Sequence, residues 1–235
     1  MTIPFQQSRY TVRFADTAAD LRACQRLRHL CFFGCAGLDA DLFDAAARHV
    51  MVSDQTGRLV ATMRLSEGPA GYAAQFYDLS ALAALDQPML EVGRFCIAPD
   101  VLDADVLRVA WGALTGYVEA RAVQMLFGCA SFAGTDWAVY GRALARLRRY
   151  QGPDGIRPPA RAQARALADC VADGINPMPP LLRTYLAMGG WVGDDLVVDH
   201  QLQTMHVFIC LEVAKIPAAR ARALRALARQ MDVDL

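Results

Sequence analysis

A chain of 235 residues, 54% of them hydrophobic, can bury a sizeable core, so we take residues 1–235 as a single globular domain. Basic and acidic residues are equal in number, 24 of each, which excludes the strongly basic surface of a nucleic-acid-binding protein. The polar start and the lack of an apolar run near about 20 residues argue against a signal peptide and a membrane-spanning helix, so we expect a cytoplasmic protein.

The seven cysteines are odd in number and scattered through apolar segments, which is typical of reduced thiols. The chain has no CxxC pair, and its four histidines lack the spacing of zinc motifs, so we predict no metal site. Cys96 and Cys129 lie in apolar runs, and we interpret them as small core residues rather than as acyl carriers.

The first elements are a strand and a helix. Residues 10–14 alternate as a strand does, and Thr17 with Asp20 resembles a capping box. The helix that comes next is predicted to end at Gly34. Its apolar positions keep helical spacing and should face the core, whereas its arginines fall elsewhere on the wheel. The arginines are Arg22, Arg26 and Arg28.

An acidic segment, residues 38–44, comes after this helix and reads as either a short helix or a loop; it contains Asp41 and Asp44. Residues 49–53 and 58–65 are then two strand-like runs. The turn residues between them predict a hairpin.

Two apolar runs, 90–97 and 125–135, enclose a clear helix over residues 104–120. This order predicts two parallel strands joined by a crossover helix. Each run is broken by glycine and by polar side chains, among them Glu91 and Arg94, which a purely structural core strand does not need. The pair therefore indicates a site opened in the middle of a sheet.

The second half begins with a helix capped near Asp136 and running to about residue 150. One face of it carries a basic stripe, formed by Arg142, Arg146 and Arg149. Residues 151–180 read as a linker with a helical insertion, an Ala/Arg-rich helix over residues 160–171.

The last elements are a short helix over residues 181–188 and two antiparallel strands, 196–199 and 205–213. Residues 217–235 predict a basic amphipathic helix, with Leu224, Leu227 and Met231 on one side. The whole order predicts an α/β fold with a mixed α+β sheet, helices on both faces and an elaborated C-terminal part. Neither GxGxxG nor GxxxxGK[ST] occurs, which removes the main support for dinucleotide and P-loop sites.

This element order resembles the GNAT acyltransferase superfamily. Three segments, residues 90–100, 127–136 and 178–192, are similar to the ornithine lipid N-acyltransferases, which also carry the label hemolysin-like. The resemblance runs from about residue 10 to residue 217. It implies transfer of a 3-hydroxyacyl group from acyl carrier protein to the α-amine of L-ornithine, giving lyso-ornithine lipid, with no tightly bound cofactor.

Four alternatives remain, one of them a small-molecule N-acetyltransferase. A more distant resemblance to acyl-homoserine-lactone synthases rests on Asp41, Asp44, Arg64 and the run from Glu91 to Phe95. Residues 199–206 depart from the pattern of the ornithine enzymes, so glutamine is another candidate acceptor. A non-catalytic module that binds the acyl carrier is the fourth.

The segment after the central strand indicates the donor. Superfamily members that use coenzyme A carry a basic, glycine-rich loop there, whereas residues 101–106 are acidic and lack glycine. Acidic side chains would repel a pyrophosphate. We therefore favour acyl carrier protein over coenzyme A as the donor.

Acylation of an amine needs a base, because an ammonium group cannot attack, and a donor to the developing oxyanion. Glu91 is the predicted base: its apolar neighbours would desolvate the carboxylate and raise its pKa. The alternative is an ion pair of Glu91 with Arg94 or Arg64. Backbone N–H groups near Gly93 to Phe95, where a bulge is expected, would polarise the thioester carbonyl.

Arg94 and Arg64 are candidates to hold a carboxylate or a phosphate, and their alternative is structural pairing with Asp41 or Asp44. Besides Arg64, the predicted substrate-binding residues are Asp41, Asp44, Phe95, Ser131, Phe132 and Asp199. Ser131 lies in no GxSxG elbow, which argues against a serine nucleophile.

Two basic surfaces suggest partners. The stripe of Arg142, Arg146 and Arg149 and the basic face of the last helix, Arg222, Arg225 and Arg229, each suit an acidic acyl carrier protein or anionic head groups at the cytoplasmic membrane. We assign carrier-protein docking to the stripe and leave both partners open for the last helix. For both, the alternative is an ordinary solvated surface.

Overall fold

The computed structural model describes residues 9–161 and 163–229. Within these ranges the chain forms eight strands and six α-helices. The strands are β1 Tyr10–Phe14, β2 Arg48–Asp54, β3 Leu59–Glu67, β4 Met89–Ile97, β5 Met125–Ala133, β6 Ala164–Ala166, β7 Trp191–Asp199 and β8 Thr204–Glu212. The helices are α1 Ala18–Phe33, α2 Ser80–Ala83, α3 Ala104–Ala120, α4 Gly141–Leu147, α5 Pro180–Ala187 and α6 Ala218–Ala228.

The chain divides into two compact units. Of the described residues, the first unit comprises 9–65, 94–120 and 222–229, and the second comprises 66–93, 121–161 and 163–221. Strand β4 contributes to both units, since its first five residues belong to the second and its last four to the first.

In the first unit the strand order is β1-β2-β3-β4. Strands β1, β2 and β3 are antiparallel neighbours, and Gly57 closes the predicted hairpin between β2 and β3 with a φ of 83°. The predicted capping box of α1 is confirmed: the Thr17 side chain accepts from the backbone N–H of Asp20, and Gly34 ends the helix with a φ of 71°. Helix α3 has the predicted bounds and buries the predicted apolar stripe.

The predicted core face of α1 needs one correction. Arg28, which the wheel placed away from the core, is fully buried, whereas Leu30 is 41% exposed. The acidic segment explains why Arg28 is buried in place of Leu30. This segment forms turns over residues 42–46 rather than a helix, and it supplies carboxylates to Arg28.

In the second unit the strand order is β4-β5-β8-β7-β6. Strands β4 and β5 are parallel, as predicted, whereas β8 is antiparallel to both of its neighbours, β5 and β7. The predicted helix after Asp136 consists of α4 with a 3₁₀ turn at each end. Its apolar side, Tyr140, Leu144 and Leu147, is buried in one of the unit's two apolar clusters.

The prediction of a helix over residues 160–171 is wrong. Its middle forms strand β6, which pairs antiparallel with β7 from Ala164 opposite Val197 to Ala166 opposite Asp195, and a 3₁₀ turn comes directly after it. Helix propensity is a weak preference, and the backbone hydrogen bonds offered by the edge of β7 override it.

Helix α6 confirms the first part of the predicted C-terminal helix. It has no buried residue, and Leu224 and Leu227 are half-buried. Met231, which the prediction placed on the same face, lies outside the described residues. Of the helices in residues 9–161 and 163–229, none combines the length and the apolar character needed to cross a membrane.

Candidate active site

Three arginines and three aspartates form a buried cluster in the first unit. They are Arg28, Arg64, Arg94, Asp39, Asp41 and Asp44. Asp44 lies at its centre: its carboxylate accepts hydrogen bonds from Arg28 at 2.8 and 2.9 Å and from Arg64 at 2.8 Å. Burial alone would raise the pKa of Asp44, but hydrogen bonds from Arg28 and Gln25 outweigh burial and hold the pKa well below its usual range.

Arg94 is held by two of these aspartates and has an unusual backbone. Its Nε lies 3.0 Å from Asp39 Oδ2, and its terminal nitrogen lies 3.2 Å from Asp41 Oδ2. The φ of Arg94 is 50°, in the left-handed region, although the residue lies within strand β4. A left-handed residue interrupts regular strand geometry, as expected for the bulge predicted between Gly93 and Phe95.

The predicted pair Arg64 and Arg94 therefore meets the predicted pair Asp41 and Asp44, which is the structural pairing that the sequence left as an alternative. The sequence prediction missed Asp39 and Arg28. A signal for Arg28 existed, because it lies four residues after Cys24 and so shares the buried face of α1.

The side chain of Glu91, in the second unit, packs against Gly71 and the 3₁₀ turn that follows it, Tyr72–Gln75. We call Gly71 and this turn the seat of Glu91. Its side chain is buried, and Oε1 accepts a hydrogen bond from the backbone N–H of Ala73 at 2.9 Å. Gly71 makes room for the carboxylate, since a Cβ at that position would lie 1.9 Å from Glu91 Oε2. Neither Gly71 nor Ala73 carries a functional side chain, so no sequence pattern pointed to them.

Asp199 lies at the other side of the same turn. Tyr72 donates its hydroxyl to Asp199 Oδ2, and Asp199 Oδ1 accepts the backbone N–H groups of Gln201 and Leu202, both at 3.0 Å. The side chain is buried. Asp199 therefore stabilises the turn between β7 and β8 through hydrogen bonds. The turn lies within residues 199–206, the segment whose sequence differs from the pattern of the ornithine enzymes.

His206 on β8 was not predicted as a site residue and is fully enclosed. Its Nδ1 lies 3.1 Å from the hydroxyl of Tyr77, which also donates to the carbonyl of His206 at 3.0 Å. The ring of Phe76 meets the imidazole edge-on, with centroids 4.7 Å apart. Burial lowers the pKa of His206 to about 4, so the imidazole is neutral at pH 7.

The other predicted residues differ in their burial. Ser131 is exposed on β5, opposite His206 in the ladder, and Phe95 is half-buried. Phe132 is fully buried against Tyr140, with ring centroids 5.1 Å apart, and is therefore a core residue. The three arginines of the basic stripe are all exposed.

Strand β5 is paired unequally on its two sides. Among the described residues the ladder with β4 has three residue pairs, ending at Glu91 opposite Phe127, whereas the ladder with β8 has nine and continues to Ala133. A strand edge with few partners retains backbone groups that can bind an extended chain.

The acidic segment after β4 is engaged in exposed ion pairs in the first unit. Asp100 lies 2.6 Å from Arg58, and Asp103 lies 2.8 Å from Arg9. Asp103 also accepts the backbone N–H of Asp105 at 3.0 Å, in the first turn of α3. In the part of the chain that the structure describes, no group of three His, Cys, Asp or Glu side chains is arranged to hold a metal ion.

A mixed α/β sheet with an interrupted central strand defines the class of protein. It has the fold of the GNAT acyltransferases: the acetyltransferase (GNAT) domain family matches residues 31–112. FeeM, an N-acyl amino acid synthase from uncultured soil microbes, superposes with a TM-score of 0.58 over 90% of this chain and 98% of its own, at 11% identity. That likeness concerns the fold.

Two sequence relatives narrow the class. An L-ornithine N(alpha)-acyltransferase of Rhodobacter capsulatus is 35% identical over 86% of this chain and 90% of its own length. One of Brucella abortus is 32% identical over 87% of this chain and 85% of its own. The chain belongs to the L-ornithine N(alpha)-acyltransferase family, and it is an N-acyltransferase.

Proposed function

We propose that this enzyme transfers a 3-hydroxyacyl group from acyl carrier protein to the α-amine of L-ornithine and so forms lyso-ornithine lipid. The observation that carries the proposal is the 35% identity to the Rhodobacter capsulatus enzyme over 86% of the chain.

Glu91 is the proposed base, directly or through one water. Its carboxylate takes a proton from the ammonium group of the acceptor, and the amine nitrogen then attacks the thioester carbonyl carbon. The C–N bond forms and the C–S bond breaks. The attacking nitrogen gives up a second proton as it becomes an amide, this proton passes to the sulfur so that the carrier leaves as a thiol, and Glu91 releases its own proton to solvent. Support comes from the seat of Glu91, which fixes one carboxylate oxygen on the N–H of Ala73.

The backbone N–H groups around Arg94 are the proposed donors to the oxyanion. A left-handed residue turns neighbouring N–H groups out of the regular ladder, where they are available to a substrate oxygen. In this proposal Arg94 is a positioning residue, because Asp39 and Asp41 hold its side chain and so stabilise its backbone conformation.

The donor is proposed to be carrier-borne because the acidic segment disfavours a pyrophosphate. Asp103 accepts a backbone N–H in the first turn of α3, where an anion would otherwise bind. The phosphopantetheine arm of a carrier has a single phosphodiester in place of the pyrophosphate, which lessens that repulsion, and its amide groups can pair with the edge of β5.

An acceptor screen tests the proposal. The purified protein is incubated with 3-hydroxyacyl carrier protein and, separately, with ornithine, glutamine or a mixture of the other amino acids, and the products are identified by mass spectrometry. N-acylornithine is the expected product. Acylation of glutamine alone, an acyl-homoserine lactone, or no N-acyl product with any acceptor would contradict the proposal.

A further inference from the structure

The outer face of α4 and its adjoining 3₁₀ turn carries positive charge that no carboxylate of the described residues balances. Four exposed arginines lie there: Arg142, Arg146, Arg148 and Arg149. Within residues 9–161 and 163–229 none of the four has a carboxylate oxygen within 4.0 Å. Other arginines of the second unit are paired, for example Arg157 with Asp194 at 2.9 Å and Arg161 with Asp78 at 3.1 Å.

Exposed apolar side chains lie beside these arginines. In the described part of the second unit three large apolar residues are exposed, Val139 at 37%, Val171 at 66% and Ile175 at 90%. They belong to two adjoining segments, since Asn176 donates its N–H to the carbonyl of Val139 at 3.0 Å and Arg142 donates its N–H to the carbonyl of Asp173. Apolar groups bordered by charge are typical of protein-binding surfaces.

We name this surface the α4 surface and define it by the four arginines, Val139, Val171 and Ile175. The α4 surface does not suit a lipid bilayer. A helix that lies in a membrane inserts its apolar face among the acyl chains. The apolar face of α4 is already buried in the protein core through Leu144 and Leu147, so the helix itself presents only its basic side. The three exposed apolar side chains lie outside α4, on the segments beside it, and do not form an apolar helix face. The half-exposed leucines of α6, by contrast, remain outside the core.

We propose that the α4 surface is the docking site of the acyl carrier protein, an inference that rests on the proposed function. Carrier proteins are strongly acidic and helical, so they complement the arginines. The position suits the donor arm: α4 comes after the end of β5, and the strand spans about 20 Å from Phe127, which pairs with Glu91, to Ala133. An extended phosphopantetheine arm can cover that length along the edge of β5.

The test measures the binding of fluorescently labelled acyl carrier protein in its apo form, which lacks the arm and therefore reports the protein surfaces alone. We expect Arg142→Glu combined with Arg146→Glu to raise Kd at least about tenfold, with a matching rise in KM for the acylated carrier and a kcat within about twofold. Arg22→Glu combined with Arg26→Glu is the matched control, because these arginines are also exposed and four residues apart on a helix. The control should change Kd by less than about twofold.

Equal weakening in both double variants, unchanged binding in both, or no binding by the wild-type protein would overturn the docking site. Retained carrier binding with loss of binding to phosphatidylglycerol vesicles in the Arg142/Arg146 variant would identify a lipid surface instead. Carrier binding that depends on these arginines, together with no N-acylornithine from the wild-type protein, would reject the proposed acceptor and leave the docking site standing.

Discussion

Glu91 occupies a position that a strand covered on both faces would ordinarily fill with an apolar side chain. Leu90 and Met89 beside it are buried, and so is its own carboxylate. Burying a carboxylate costs free energy unless hydrogen bonds compensate for the lost water. The N–H of Ala73 supplies one such bond, which explains how the strand accommodates the residue and why its seat lies on a 3₁₀ turn.

Replacing this carboxylate tests the proposed base. We expect Glu91→Gln, which keeps the shape of the side chain, to lower kcat by about 10²–10⁴ with little change in the unfolding temperature. The measurements are steady-state acyl transfer and thermal unfolding. A kcat within about threefold of the wild-type value would remove Glu91 as the base.

Gly71 gives an independent test of the seat. In Gly71→Ala the new methyl group would lie 1.9 Å from Glu91 Oε2, so the carboxylate has to move, and we expect kcat to fall at least about tenfold. Gly193→Ala is the matched control, because there the nearest atom to the new methyl group, the Cβ of Phe208, is 3.3 Å away. If kcat falls by the same factor in both variants, the loss in Gly71→Ala does not come from displacement of Glu91.

His206 makes stability depend on pH. Its pKa is lowered to about 4 in the folded protein, against about 6.5 when unfolded, so below pH 6.5 the unfolded chain binds more protons. The stabilisation is complete above pH 6.5 and is lost as pH falls toward 4. Between pH 7 and pH 5 we expect the free energy of unfolding to fall by about 2 kcal/mol more in the wild type than in His206→Gln.

Urea unfolding at the two pH values measures this difference. His49 also has a pKa lowered by burial and contributes in the same direction, but equally in both proteins. Parallel loss of stability in the wild type and the variant would show that His206 does not carry the effect.

At the scale of elements, the arginine–aspartate cluster joins one helix, one loop and two strands of the first unit. Helix α1 supplies Arg28, the segment after it supplies the three aspartates, and β3 and β4 supply Arg64 and Arg94. A buried cluster with three charges of each sign is balanced, but it becomes unbalanced when one member is removed. The cluster therefore specifies how this loop packs.

Asp44→Asn should be strongly destabilising. The substitution leaves the buried guanidinium groups of Arg28 and Arg64 with less opposing charge, and we expect the free energy of unfolding to fall by about 3 kcal/mol. Asp105→Asn, which breaks an exposed pair with Arg108, is the control and should have no measurable effect on chemical unfolding. Equal effects in the two variants would contradict the importance assigned to burial.

Strand β6 shows the limit of local pattern. Residues 160–171 are rich in alanine and arginine, which favour a helix, yet the chain forms an edge strand there. Where a pattern and its packing agree, as in α3, the predicted bounds are correct to the residue. The difference is that α3 carries an apolar stripe of its own, whereas β6 depends on the partner that β7 offers.

For the whole molecule, the arrangement of acidic residues predicts the choice of donor. Coenzyme A carries a pyrophosphate, which the carboxylates near the start of α3 would repel, so we expect millimolar coenzyme A to leave the unfolding temperature unchanged. Acylated carrier protein should raise it, because a ligand that binds only the folded state stabilises that state. A larger rise with coenzyme A than with the acylated carrier would reverse this assignment.

Outside residues 160–171, sequence was sufficient for the order of elements, and it was sufficient for the parallel pair around α3, the capped start of α1 and the family, because each depends on local pattern or on contiguous motifs. The packed fold was needed to establish that Arg28 is buried, that Asp39 completes the cluster and that Gly71 and Ala73 hold Glu91. Helical spacing from Cys24 hints at the burial of Arg28, but its carboxylate partners, Asp39 and the residues that hold Glu91 are far apart along the chain or act through the backbone, and they leave no periodic signal. The interrupted strand β4 was visible as a pattern, but the geometry at Arg94 arises from aspartates more than fifty residues away.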